Sequence, residues 1–180
     1  MTPTITRILV PTDFSATSDA ALDFAKTIAT TFGASLHLLH VFEDPFVPGA
    51  FAVDTYAPLS PDMRASLLDD AASRLAHRLP PADKGRFNGT TEIVAGVGAI
   101  AIVNYARDHD IDLIVMGTHG RTGMAHLLIG SVAERVVRTA SCPVLTVHKE
   151  GRVVTHPDRA YLPAMPAQLA GSRWSVVGSQ

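Results

Sequence analysis

One feature limits the fold of this sequence more than any other, and it is a regular alternation. Short apolar runs of five to eight residues take turns with longer stretches whose apolar residues recur at helical spacing. Residues 5–10 (ITRILV) stop at Pro11 and read as a buried strand. Over 15–32, Ala20, Ala21, Phe24, Ala25 and Ile28 mark one face of a helix. Ser15 or Ser18 would cap its start, and Gly33 its end. Residues 35–42 (SLHLLHVF) make the second strand, and the proline-rich 43–61 a long loop. A second helix spans 61–79, with Pro61 suited to its first turn. Residues 80–89 read as a polar connection, 90–95 as the third strand and 98–109 as the third helix. Residues 112–116 (DLIVM) are a fourth strand, 117–130 a glycine-punctuated loop, 131–140 a fourth helix and 143–147 the last strand.

Strands and helices that alternate in this way build a parallel sheet. Right-handed crossovers are expected between its strands. The strands are apolar almost throughout, as strands covered on both faces are. The expected fold is therefore α/β: an open, Rossmann-like, five-stranded parallel sheet with helices on both faces. Residues 1–150 make one such domain. Residues 151–180 break the pattern with Pro157, Pro163, Pro166 and the single tryptophan, Trp174. They are expected to form a C-terminal extension, disordered or loosely docked.

Composition narrows the partners. The 180 residues suffice for one domain with a sizeable core. Formal charge is −2, from 15 Lys+Arg and 17 Asp+Glu, so the chain is not polybasic overall. Neither nucleic acid nor an anionic membrane is an expected partner. No apolar run approaches the ~18 residues of a membrane span, and the N-terminus lacks a secretory pattern. The single cysteine, Cys142, leaves no intrachain disulfide framework and fits a reducing, cytoplasmic setting.

In open parallel sheets, ligands bind beyond the carboxyl ends of the strands, where the strand order reverses. Two strand ends here carry polar, turn-forming residues: Pro11-Thr12-Asp13 after the first strand, and Gly117-Thr118-His119-Gly120 after the fourth. If those strands are neighbours, the two segments wall one cleft. Gly117 and Gly120 allow tight turns and close backbone approach. Nine residues on, Gly130-Ser131 opens a helix whose free N–H groups and positive dipole end suit a phosphate. The Ser131 hydroxyl and Arg121 add donors, and Asp13 is a candidate ligand for Mg²⁺ or for a ribose.

Residues 5–149 resemble the universal stress proteins, specifically their nucleotide-binding branch. The likeness is carried by ILVPTDFS, by DLIVMGTHGRTG and by LIGSVAERVVRTASCPVLTV. The family's nucleotide motif, Gly-x₂-Gly-x₉-Gly-(Ser/Thr), is matched without a gap by Gly117, Gly120, Gly130 and Ser131. The resemblance implies strand order 3-2-1-4-5 in an adenine nucleotide alpha hydrolase-like fold. It also implies ATP bound with Mg²⁺ or Mn²⁺, and homodimers paired through the last strand, Val144, Leu145, Thr146 and Val147. Carried over residue by residue, Pro11, Thr12 and Asp13 would flank the adenosine, with Asp13 near ribose or metal. The backbone of Val41 would meet the adenine, and Met116 and Gly117 would line base and ribose. His119, Gly120, Arg121, Gly130, Ser131 and Val132 would surround the phosphates. The 43–61 loop and the tail depart from the common pattern.

Rival patterns are weaker. Gly96-x-Gly98-x-x-Ala101 has the form of a dinucleotide fingerprint, but the next strand ends in Met116-Gly117-Thr118-His119, without the required acid. The glycines then make a tight turn. Neither a P-loop nor a Gly-x-Ser-x-Gly elbow is present. His37 and His40 lie three apart on a strand, so they point to opposite faces and cannot chelate together. Cys142 reads as a small buried side chain, and Asp69-Asp70 as a solvated helix face. Asp13 is the one carboxylate evident near the phosphates, so efficient ATP hydrolysis is not expected. Three functions follow: a nucleotide-dependent stress-response regulator, a slow ATP hydrolase or phosphoryl-transfer enzyme, and a dimeric interaction protein whose glycines are architectural.

Overall fold

The computed structural model describes residues 4–43, 59–118 and 130–148, with the backbone of 153–154. Most of the proline-rich segment, the loop with His119, Gly120 and Arg121, and the tail with Trp174 lie outside the described residues. Five strands run parallel: β1 (Arg7–Pro11), β2 (Ser35–Phe42), β3 (Thr90–Ala95), β4 (Leu113–Gly117) and β5 (Val144–Val147). Their order is β3-β2-β1-β4-β5, so the order of strand addition reverses between β1 and β4, and the strands expected to flank a cleft are neighbours.

The strands are apolar on both faces because each face carries a helical layer. Ile8, Val10, Leu36, Leu38, Leu113, Val115, Leu145 and Val147 point into one core. It is closed by α1 (Ala16–Phe32), α2 (Pro61–Arg78) and α3 (Pro81–Phe87), through Phe24, Ile28, Leu75 and Phe87. The alternate residues Leu9, Leu39, Ile114 and Met116 face α4 (Gly98–Asp108) and α5 (Ser131–Thr139), which contribute Ile102, Tyr105, Ala133 and Val136. Ser15 is the N-cap of α1, accepting from Ser18 N at 3.2 Å, and Gly33 ends it at φ 67.

Two elements differ from the expectation. The polar connection of 80–89 contains α3, started by Pro81 and tied to α1 by a Lys26–Asp83 ion pair of 2.7 Å. The extension contains a sixth strand, β6 (Val153–Val154), antiparallel on the outer edge of β5. The sheet is therefore six-stranded, five parallel strands and one antiparallel. No described helix is long and apolar enough to cross a membrane.

Candidate functional site

A cleft of about 700 Å³ opens at the carboxyl ends of β1, β2 and β4, where the strand order reverses. Its floor begins at Pro11, the last residue of β1. Thr12 N donates to Leu39 O at 2.8 Å, so the chain leaves the sheet still bonded to β2. The buried Thr12 hydroxyl then organises the turn. It accepts from Phe14 N at 3.0 Å and lies 3.0 Å from Ser18 Oγ. Because Ser18 gives its own proton to Ser15 O at 2.8 Å, Thr12 is the donor in that contact.

Asp13 follows, half-buried, its Oδ1 accepting from Ser15 N at 3.0 Å. Burial by itself pushes its carboxyl up. Hydrogen bonding, led by the Ser15 hydroxyl and amide, outweighs that and holds it below the usual carboxylate range. Asp13 is thus an anion at neutral pH at the cleft wall.

Phe14 takes φ 67, a left-handed conformation that costs a bulky residue on the order of 1–3 kcal/mol. The surroundings enforce it. The Phe14 ring is buried against His40 at 4.4 Å, with the Arg74 guanidinium over it at 4.1 Å and that of Arg78 at 4.9 Å. Arg78 also donates to Phe14 O at 3.1 Å and pairs with Asp19 at 2.6 Å. His40 Nδ1 donates to Thr12 O at 2.8 Å, which fixes its ring on the wall.

On the opposite side stand the starts of α4 and α5. Neither is capped by its own N-cap side chain, since these are Val97 and Gly130. At α4, Glu43 supplies the missing acceptor, its Oε1 taking the Gly98 N–H at 2.9 Å. At α5, Gly130 N donates to Thr118 O at 2.6 Å, so the helix start is tied to the end of β4. Thr118 N in turn donates to Val147 O at 2.9 Å. Gly130, Ser131, Val132 and Ala133 line the cleft around the first turn of α5, where backbone N–H groups lack intrahelical partners.

Of the residues the sequence singled out, Pro11, Thr12, Asp13, Val41, Met116, Gly117, Gly130, Ser131 and Val132 all line this one cleft. His119, Gly120 and Arg121 fall outside the described residues. Gly117 has a further reason to be glycine: a Cβ there would lie 2.9 Å from Thr17 Cγ2 and 3.1 Å from the Thr17 carbonyl carbon. Close packing of α1 on β4 demands it. Gly130, at φ −72, has a backbone any residue adopts.

Several lining residues were not foreseen. Glu43 and Asp70 bring two more carboxylates to the cleft, so Asp13 is not its one acid, while Asp70 is exposed as expected and borders the cleft as well. Arg74, pairing with Asp70 at 3.7 Å, adds a cation. Glu43 follows β2 directly and was within reach of strand-end reasoning. Asp70 and Arg74 reach the cleft only through packing of α2. Cys142 is half-buried with its thiol pushed up to about 11 by burial, so it stays protonated at neutral pH. Among the described residues, no group of three or more His, Cys, Asp or Glu side chains is arranged to hold a metal ion.

A model of the universal stress protein family matches residues 4–148. A universal stress protein of Methanocaldococcus jannaschii is 38% identical over 144 residues, covering 79% of this chain and 82% of the relative. A solved universal stress protein of Lactobacillus plantarum, UspA, is 30% identical with a TM-score of 0.62, covering 79% of this chain and 97% of that one. Another universal stress protein, solved in complex with cAMP, is 26% identical with a TM-score of 0.53, covering 81% and 98%.

Proposed function

Because the chain belongs to the universal stress protein family, we propose that its cleft binds an adenine nucleotide, ATP with Mg²⁺ or Mn²⁺, and that occupancy regulates a response to stress. The supporting observation is the pairing of two unlike walls. Asp13 is ionised on one side, and the start of α5 lies on the other without a side-chain cap. A nucleotide matches both, its phosphates lying beside Gly130 and meeting the N–H groups of Ser131 and Val132. The base then meets the backbone of Val41, with Pro11, Thr12, Met116 and Gly117 around base and ribose. His119, Gly120 and Arg121 belong to the phosphate end of the same reading. The relative solved with cAMP supports an adenine ligand for this cleft.

The metal fits this reading through one carboxylate. Mg²⁺ commonly takes one or two protein carboxylates and fills its shell with phosphate oxygens and water. Asp13 supplies that carboxylate. Bound there, the ion would neutralise phosphate charge, and Asp13 would hold it. A change of state on binding requires ATP to favour one state over another. A cytoplasmic setting and pairing of two copies through β5 belong to the same proposal.

Titration calorimetry tests it, with Gly130→Asp as the control. The backbone at 130 accepts any residue, and Asp is a better N-cap than Gly, so α5 survives the change. Its carboxylate competes with phosphate. We expect binding by the parent and at least about tenfold weaker binding, ~1.4 kcal/mol, by the variant. No binding by the parent would overturn the reading and leave the glycines as architecture. The rival of slow hydrolysis draws on Glu43, the second carboxylate on the cleft wall. Single-turnover assays separate the two, and turnover unaltered by Asp13→Ala would mark a contaminant.

A further inference from the structure

Arg74 is the one lysine or arginine among the described residues that line the cleft. It shares that lining with three carboxylates, and two of them are engaged: Asp13 accepts from Ser15 N, and Glu43 from Gly98 N. Asp70 is left to Arg74, one helical turn away on α2 at 3.7 Å. That contact is longer than a hydrogen bond. Both side chains are exposed, Arg74 to 41% and Asp70 to 66%, so the pair contributes little. The other contact of Arg74 is the Phe14 ring, at 4.1 Å. An aromatic face attracts the charge of a guanidinium without accepting its N–H groups as an oxygen would. Among the described residues, Arg74 therefore makes no hydrogen bond. Arg78, one turn further along α2, is the contrast: it donates to Phe14 O and to both carboxylate oxygens of Asp19.

An arginine held in place with its donors unused is a prepared site for an anion. Phe14 is buried, its ring against His40 at 4.4 Å, so the surface beneath the cation is fixed. Stacking also orders the guanidinium beforehand, which lowers the entropy lost on binding. The start of α5 lies across the cleft without a side-chain cap. The cleft thus has two positions for negative charge, carried by α2 and α5, which pack on opposite faces of the sheet.

We propose that Arg74 receives a phosphate on the ribose of the bound nucleotide, so that this cleft prefers adenine nucleotides phosphorylated at both the 5′ and the 3′ oxygens. The inference rests on the proposed nucleotide reading and narrows its ligand class. The 5′ and 3′ oxygens leave a ribose from opposite ends, so one nucleotide reaches both walls. Its 5′ phosphate lies at α5, and its sugar lies beside Asp13, the chain neighbour of the Phe14 that carries Arg74. A phosphate takes a guanidinium through two parallel N–H···O bonds, a geometry that Asp70 at 3.7 Å does not supply. A nucleotide with a free 3′ hydroxyl fills the α5 position alone and leaves Arg74 to water.

Titration calorimetry on the full-length chain compares adenosine 5′-monophosphate with adenosine 3′,5′-bisphosphate. The parent should bind the bisphosphate at least about tenfold more tightly, the scale of a charge-assisted contact with two bonds. Arg74→Gln should abolish that preference. Arg74→Lys keeps the charge without the fork and should restore part of it. Asp70→Asn removes the competing carboxylate and should widen the preference, a gain that damage to the fold cannot produce. Equal binding of the two ligands by the parent would overturn this inference and leave the nucleotide reading standing. Binding of neither would overturn both. A preference that survives Arg74→Gln would put the second phosphate elsewhere and overturn the assignment.

Discussion

Thr12 holds the β1 turn with a single hydroxyl that donates to Ser18 and accepts from the Phe14 amide. Thr12→Val keeps the shape and leaves a buried N–H without its acceptor. We expect a loss of about 1–3 kcal/mol by chemical denaturation, with Thr12→Ser close to the parent. Asp13 separates two roles. Asp13→Asn keeps an oxygen for Ser15 N but removes the charge, so the fold should persist while the Mg²⁺ dependence of ATP binding falls. Calorimetry with and without the metal checks it. Asp13 was legible in the sequence because it follows a strand end, the place where open parallel sheets bind ligands. Arg74 was not legible, since its place depends on where a whole helix lands. The left-handed Phe14 was not legible either. A bulky residue gives no local sign of positive φ, and its neighbours His40, Arg74 and Arg78 come from 26 to 64 positions away.

Elements longer than a few turns announced themselves, and short ones did not. α1, α2, α4 and α5 agree with the spacing of apolar residues to within a residue or two at their ends. α3 has seven residues, Gly85 among them, too few for a period to appear. It exists because Phe87 is buried and Asp83 meets Lys26, which are tertiary facts. β6 has two residues and no pattern at all. Gly117 shows how one signal carries two causes: it was read as room for a ligand, and it is also room for α1. Gly117→Ala should destabilise by about 1–3 kcal/mol, since the Thr17 backbone at 3.1 Å cannot rotate away. A thermal melt without ligand isolates this packing cost from any effect on binding.

At the scale of the whole molecule, stability depends on pH through the far end of the sheet from the cleft. His37 lies on β2 beside Tyr105 at 3.1 Å, and His109 stacks on Tyr105 with centroids 4.0 Å apart. Burial lowers His37 below its ordinary 6.5. His109 and Arg7 add to this, and Glu92 opposes it. The fold thus favours the neutral ring. Its contribution is complete above pH 6.5 and is lost as pH falls from there through the folded value, because the unfolded chain takes the proton first. Denaturation midpoints should drop over that range, and His37→Gln should flatten the drop. Tyr105, pushed up to about 12 mainly by burial, keeps its proton throughout. A parallel sheet covered on both faces was readable from alternation, because each apolar strand followed by an amphipathic helix leaves few other ways to bury both, whereas the strand order came from the family resemblance. A ligand that binds only the folded state adds its own term: ATP at a hundred times its dissociation constant should add about 2.7 kcal/mol.

Glu43 on the Gly98 amide gives the cleft a direction. Two helices offer the same chemistry at their starts, yet the chain has already answered one of them with its own carboxylate. An anionic ligand arriving from solution finds one door shut and its neighbour open. Head and tail are thereby assigned before contact, and fewer encounters are wasted on the reversed pose.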